Sequence, residues 1–152
     1  MVFFSGHVPW EQTVDGEAKT VADGDYKFVG KISYLPAAGA NVTHLSIQDG
    51  QAAQQLCVKQ ILSQLNHKCQ GELGRVVSIM RLGVHVNCDP SFTDLPKVAN
   101  GASDLLIELF GPTVGSHVRL AVGAVSLPRG VAVEVEAIVI IDSCGLGLPH
   151  AR

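Results

Sequence analysis

The stretch 117–142 constrains the fold most. It reads HVRLAVGAVS, then LPRG, then VAVEVEAIVIID, two β-prone runs around a short turn. Side chains alternate across a strand, so Val118, Leu120, Val122 and Ala124 share one face of the first run. His117, Arg119, Ala121 and Gly123 share the other. In the second run Val131, Val133, Val135, Ala137, Val139 and Ile141 form a wholly apolar face, backed by Ala132, Glu134, Glu136, Ile138 and Ile140. One guanidinium and two carboxylates therefore stand in segments that otherwise read as core, where an unpaired charge is costly. Arg119 has two readings. It forms an ion pair with Glu134, Glu136 or Asp142, or it holds a planar fork ready for a carboxylate from outside the chain. Read from the residues alone, LPRG is the tip of a hairpin joining the two runs.

A chain of 152 residues is long enough to bury a real core and reads as one domain, 1–152. Only 16% of its residues are charged against 47% hydrophobic. That balance implies apolar surface covered by a partner, most simply another copy of the chain. No run approaches the roughly 18 apolar residues of a membrane span. Met1-Val2-Phe3-Phe4 is too short for a signal-peptide core and has no basic start, so the expected location is cytoplasmic. A net charge of −3 gives no electrostatic case for nucleic acid. Cys57, Cys69, Cys88 and Cys144 show no CxxC pattern and read as free thiols of a reducing compartment. Without an export route the sequon Asn41-Val42-Thr43 carries little weight.

Along the chain, Val2-Phe3-Phe4-Ser5 reads as a strand ending at Gly6, followed by a turn-rich excursion over 9–25. The segment 26–33 is a short second strand with Gly30 at a bulge or close contact, and 35–39 is a linker. Thr43 or Ser46 caps a helix whose stripe is Ala53, Cys57, Ile61 and Leu65, widened by Ala52, Leu56 and Leu62. Gly71 to Gly74 ends it, and a strand follows over 75–86 with Gly83 as its weak point. Ser91 or Asp94 caps a second helix with Pro96 in its first turn, stopped at Gly111-Pro112. Val98, Ala102, Leu105, Leu106 and Leu109 form its apolar face, and Gly101 in its interior points to a close approach. Residues 149–152 read as a loose tail. The element order argues for an α+β sandwich with helices on one sheet face and the other face left for a partner.

The chemistry candidates are few. Glu134 against an apolar wall is a possible acid or base on a water. The six histidines show neither an i, i+4 pair nor HExxH, so no metal site is expected. His117 shares a face with Arg119 and reads as polar lining. No GxSxG is present to mark a nucleophilic serine, no glycine-rich phosphate loop occurs, and Cys57 lies on a core stripe.

Ser5-Gly6-His7-Val8-Pro9 resembles the SGQ(I/V)P element after the first strand of the RidA/YjgF family of enamine/imine deaminases. The likeness strengthens at Phe92 and at Val98-Ala99-Asn100-Gly101-Ala102-Ser103-Asp104-Leu105-Leu106. It is strongest at His117-Val118-Arg119, Leu127-Pro128 and Val133-Glu134-Val135-Glu136-Ala137-Ile138, which resemble the R…LP…VEIEAIA signature with matching spacing. It spans nearly the whole chain, and the NGAS form with the longer body is similar to a RidA-like branch. The resemblance implies an α+β, chorismate mutase-like fold: a mixed sheet with two helices on one face, in a homotrimer with ligand clefts between subunits. It also implies that residues 127–130 carry the chain over a neighbouring strand.

By the same likeness, Arg119 holds the carboxylate of a 2-imino or 2-enamino acid and Glu134 positions or activates the attacking water. Backbone near Ser5 and Gly6 completes the pocket. Hydrolysis yields a 2-oxo acid and ammonia without metal or organic cofactor. Two departures support a second reading, a non-catalytic small-carboxylate-binding or interaction protein of the same fold. Ala121 stands where the family often has cysteine, and the chain starts at Val2-Phe3-Phe4, where relatives carry a further segment with a pocket tyrosine. Ribonuclease, a label on some relatives, has no basic, aromatic-lined stripe here to support it.

Overall fold

A computed structural model describes residues 1–11, 25–34 and 43–142. The expected linker, the sequon's Asn41, Cys144, the tail and most of the turn-rich excursion lie outside them. The elements in chain order are β1 (Val2–His7), β2 (Trp10–Glu11), β3 (Asp25–Tyr26), β4 (Lys31–Ile32), β5 (His44–Leu45), α1 (Ile47–Lys68), β6 (Val76–Asn87), α2 (Leu95–Gly115), β7 (Val118–Ala124) and β8 (Val133–Ile141). The main sheet runs β1-β8-β6-β7, with β7 parallel to β6 and the other pairs antiparallel. This is a mixed sheet with two helices. The expected strand over 26–33 is instead two short pieces, β3 paired with β2 and β4 paired with β5, outside the main sheet.

The hairpin expected from the residues alone does not form. β7 and β8 flank β6 on opposite sides. The connection, with a 3₁₀ turn at Pro128–Gly130, must therefore cross the end of β6. Arg129 at φ 58 and Gly130 at φ 69 turn the chain there. The crossing matches what the family likeness implied.

Ser46 is the cap of α1. Its hydroxyl accepts from the Asp49 N–H, and the Asp49 carboxylate accepts from the Ser46 N–H, a reciprocal box that satisfies two orphan donors. Ala53, Cys57, Ile61 and Leu65 are buried as the spacing predicts, joined by Val58. In α2, Val98, Ala102 and Leu106 are buried, but Leu109 is 55% exposed. Leu109 faces an open apolar groove of about 350 Å³ shared with Leu62, Leu73 and Val76, so the helical stripe continues where no packing fills it. Gly111 at φ 73 breaks the helix, and Pro112 opens one further turn.

The two helices cover one face of the sheet, where Leu82, Val84, Val133 and Val135 are completely buried. The other face is uncovered in the protomer. Directly paired residues point to the same side of a sheet, and one row across it runs Phe3, Ile138, Arg81, Val118. Phe3 is 65% exposed and Val118 68%, with Leu120 in the next row at 49%. Arg81 Nη1 donates to Glu136 Oε1 at 2.7 Å on this face. Gly83 makes room for the pair, because a Cβ there would stand 2.7 Å from the Glu136 carboxyl carbon. The weak point read in the sequence is thus the seat of a charged side chain.

Candidate functional site

The register fixes where Arg119 points. It is paired with Leu82, which is itself paired with Ala137, and both of those are buried under the helices. The polar face of β7 therefore looks toward α2, and its apolar face looks outward. That reverses the usual sense of an edge strand. On this side α2 carries two polar side chains, Asn100 and Ser103, at helical spacing, with the Pro96 carbonyl one turn before them.

Arg119 makes no ion pair with Glu134, Glu136 or Asp142. Its Nη1 donates to Asn100 Oδ1 at 3.0 Å and to Ser103 Oγ at 2.9 Å, and its Nη2 donates to the Pro96 carbonyl at 3.4 Å. Both Nη1 hydrogens are thus engaged, while Nε–H and one Nη2 hydrogen are left, the edge that takes a carboxylate side-on. The side chain is exposed at a cavity of about 390 Å³ that it lines with Ser103, Ile107, Ser116 and His117. His117 is more than lining. Its Nε2 lies 3.0 Å from Ser103 Oγ and its Nδ1 2.6 Å from the Gly115 carbonyl oxygen.

The other expected residues gather elsewhere. Between Phe4, opposite Ala137, and His7, opposite Val135, β1 holds one extra residue, a bulge at Ser5-Gly6. Gly6 sits at φ 65, and a Cβ on it would be 3.0 Å from Glu134 Oε1. The Glu134 carboxylate therefore rests against the bulge, on the uncovered face and opposite His85. The structure joins Ser5, Gly6 and Glu134 but not Arg119. Two strand spacings, about 10 Å, and opposite sheet faces separate Arg119 from Glu134 within one protomer.

Beside the bulge, a cavity of about 590 Å³ opens between β1 and α1, lined in part by Ser5, Gly6, His7, Gln64 and His67. Burial lowers the His7 pKa below its ordinary 6.5, against a smaller raising effect of Gln64. The unfolded chain then takes up the proton first. The stability contributed by the neutral ring is full above pH 6.5 and declines as pH falls below it. Urea unfolding midpoints between pH 7.5 and 5 should drop more for the native protein than for a His7→Gln variant, and parallel curves would refute this.

Cys57, Cys69 and Cys88 are free and buried, and burial pushes the Cys57 and Cys88 thiols up, which suits inert core residues. Among the described residues no three His, Cys, Asp or Glu side chains gather as a metal site, and no helix is long and apolar enough to cross a membrane.

The family model described as "YjgF/chorismate mutase-like, putative endoribonuclease" matches residues 10–136. The chain belongs to the YjgF family. Two solved structures share its fold. Atu1372 from Agrobacterium tumefaciens, titled a protein of unknown function, superposes with a TM-score of 0.72 at 31% identity, over 92% of this chain and 77% of that one. A Shewanella oneidensis MR-1 protein titled a "putative endoribonuclease" gives 0.70 at 30% identity, over 90% and 76%. Protein TCP17 of Trypanosoma cruzi is 48% identical over 99 residues, 65% of this chain but only 61% of that protein, so the match spans less than two thirds of its length. YjgF membership fits a small-molecule-binding or endoribonuclease-like role.

Proposed function

We propose that this YjgF-family chain hydrolyses 2-imino and 2-enamino acids to 2-oxo acids and ammonia. It works as a homotrimer with its clefts between protomers. The observation that carries the reading is Arg119, an exposed guanidinium that three neutral oxygens hold in place at a cavity while no carboxylate among the described residues claims it. A cation so oriented, with one fork edge spare, suits a small anionic ligand. The apolar outer face supports assembly, since Phe3, Val118 and Leu120 are the kind of surface a second copy covers. Assembly also answers the separation of the site residues. Arg119 of one protomer would hold the substrate carboxylate, while Glu134, Ser5 and Gly6 of the next would face C2 and orient the water. Imine hydrolysis asks only for water and proton transfers, so no metal or organic cofactor enters.

The non-catalytic alternative rests on Ala121, which leaves no thiol on the Arg119 face of β7. Kinetics separates the two. 2-Iminobutanoate generated in place by an amino-acid oxidase should decay to 2-oxobutanoate and ammonia faster with the protein than in buffer, and the solution mass should correspond to three chains. Ligand binding at Arg119 with buffer-rate decay would favour the non-catalytic reading. Cleavage of RNA that disappears in an Arg119→Ala variant would favour the endoribonuclease-like role instead.

A further inference from the structure

Three hydrogen bonds in a row fix the direction of proton donation at the Arg119 cavity. His117 Nδ1 lies 2.6 Å from the Gly115 carbonyl oxygen, which can only accept, so Nδ1 carries the hydrogen. In the neutral ring Nε2 is then bare. The hydrogen between it and Ser103 Oγ, 3.0 Å away, must be the hydroxyl's. Arg119 Nη1, 2.9 Å from the same Oγ, can only donate. The chain of donation therefore runs from Arg119 to Ser103, from Ser103 to His117, and from His117 to Gly115. A hydroxyl facing a bare imidazole nitrogen, with the ring held by a third group, is the arrangement that lets a serine oxygen take up a proton. Arg119 occupies one lone pair of Oγ, leaving the second for a donor in the cavity that Ser103, His117 and Arg119 all line. Ser103 itself is only 8% exposed, and His117 is half-buried beside it.

From this we infer that Ser103 and His117 form a proton relay for the reaction at Arg119. The inference rests on the proposed deaminase reading. Water adds to C2 of the protonated imine. The proton it loses passes to Ser103 Oγ as the hydroxyl proton passes to His117 Nε2, giving a carbinolamine and an imidazolium. The same proton returns through Ser103 to the amine nitrogen. The C–N bond then breaks, ammonia leaves, and the carbinolamine hydroxyl gives its proton to solvent, leaving the 2-oxo acid. Ser103 is the catalytic residue in this scheme, and His117 is the positioning residue that acts through it.

The test uses the full chain and the imine assay. Ser103→Ala and His117→Ala should each lose about 100-fold in kcat, the lower range for a proton-transfer group, with KM within about threefold of the native value. His117→Asn keeps a donor for the Gly115 carbonyl and a polar side chain of similar reach but has no bare ring nitrogen, so it should be as slow as His117→Ala. Added imidazole should restore kcat to His117→Ala and not to the Ser103→Ala, His117→Ala double variant. Raised KM with native kcat would mean that the two residues merely hold Arg119 and would overturn the relay, as would full activity in His117→Asn. A native protein no faster than buffer would overturn the deaminase reading itself, a result distinct from either.

Discussion

Arg119→Ala is expected to lower kcat/KM for imine hydrolysis by about 10³-fold, roughly 4 kcal/mol, the loss of a two-pronged hold on the substrate carboxylate at the proposed cleft between protomers. The fold should survive. Arg119 is exposed, and water can reach the Asn100 and Ser103 oxygens it leaves, so the stability change should stay within about 1 kcal/mol. Arg119→Lys should recover less than about tenfold of the loss, because an ammonium is a point charge without a planar fork. There is also a counting argument. Asn100 and Ser103 would claim two of lysine's three N–H groups, leaving at most one for the ligand. Steady-state release of 2-oxo acid, read beside thermal melting and solution mass, gives all three quantities. Native-like turnover in Arg119→Ala would remove the anchor on which the proposed function rests.

Why Arg119 was visible in the sequence, and its surroundings were not, follows from which information is local. The alternation of 117–124 assigns the faces of β7 from two-residue spacing alone, and the structure keeps that assignment. Which face is buried depends on what lies above and beside the strand. In the protomer α2 lies over the polar face. The hairpin failed for a related reason. LPRG specifies a turn but cannot say that the next strand joins the far side of β6, where β8 pairs antiparallel with it. The family signature carried that long-range information, and the turn chemistry did not.

Asn100 and Ser103 were missed as partners of Arg119, though a signal existed. Asn100 and Ser103 stand three residues apart, two polar side chains on one side of a helix whose neighbouring stripe, Val98, Ala102 and Leu106, is core. Polar residues so placed beside an edge strand with a charged inward face are natural partners for it. His117 was legible as a neighbour of Arg119. Its role in a donation chain needed Ser103, fourteen residues back on α2, a contact that strand alternation does not reveal. The separation of Glu134 from Arg119 had no local sign, since the two lie only 15 residues apart in sequence and yet on opposite faces.

Gly101→Ala should be strongly destabilising for a single added methyl. A Cβ at Gly101 would stand 2.6 Å from the Cα of Gln51 and 2.8 Å from its carbonyl carbon, both backbone atoms that no rotamer change can move. Gly50 marks the same crossing from the other side, where a Cβ would meet Ile32 and lie 2.9 Å from Val98 Cγ1. The helices must part for the methyl to fit. Overpacking of this kind costs about 1–3 kcal/mol, and separating two backbones belongs at the top of that range. Alanine returns about 1 kcal/mol through helix propensity. A net loss of about 2 kcal/mol corresponds to a fall in Tm of roughly 4–8 °C for a chain of this size. Gly74→Ala is the control, because nothing lies within 4 Å of its would-be Cβ, and it should melt within about 1 °C of the native protein. The effect should also reach the site. Gly101 lies between Asn100 and Ser103, so moving α2 away from α1 moves the oxygens that aim the Arg119 guanidinium. Where Gly101→Ala remains folded, KM in the imine assay should rise about tenfold, because Asn100 and Ser103 move together and Arg119 loses the aim of both oxygens at once, while Gly74→Ala keeps the native value. Equal melting points for the two alanine variants would show that the helices separate freely. The crossing would then not be what places Asn100 and Ser103 over β7.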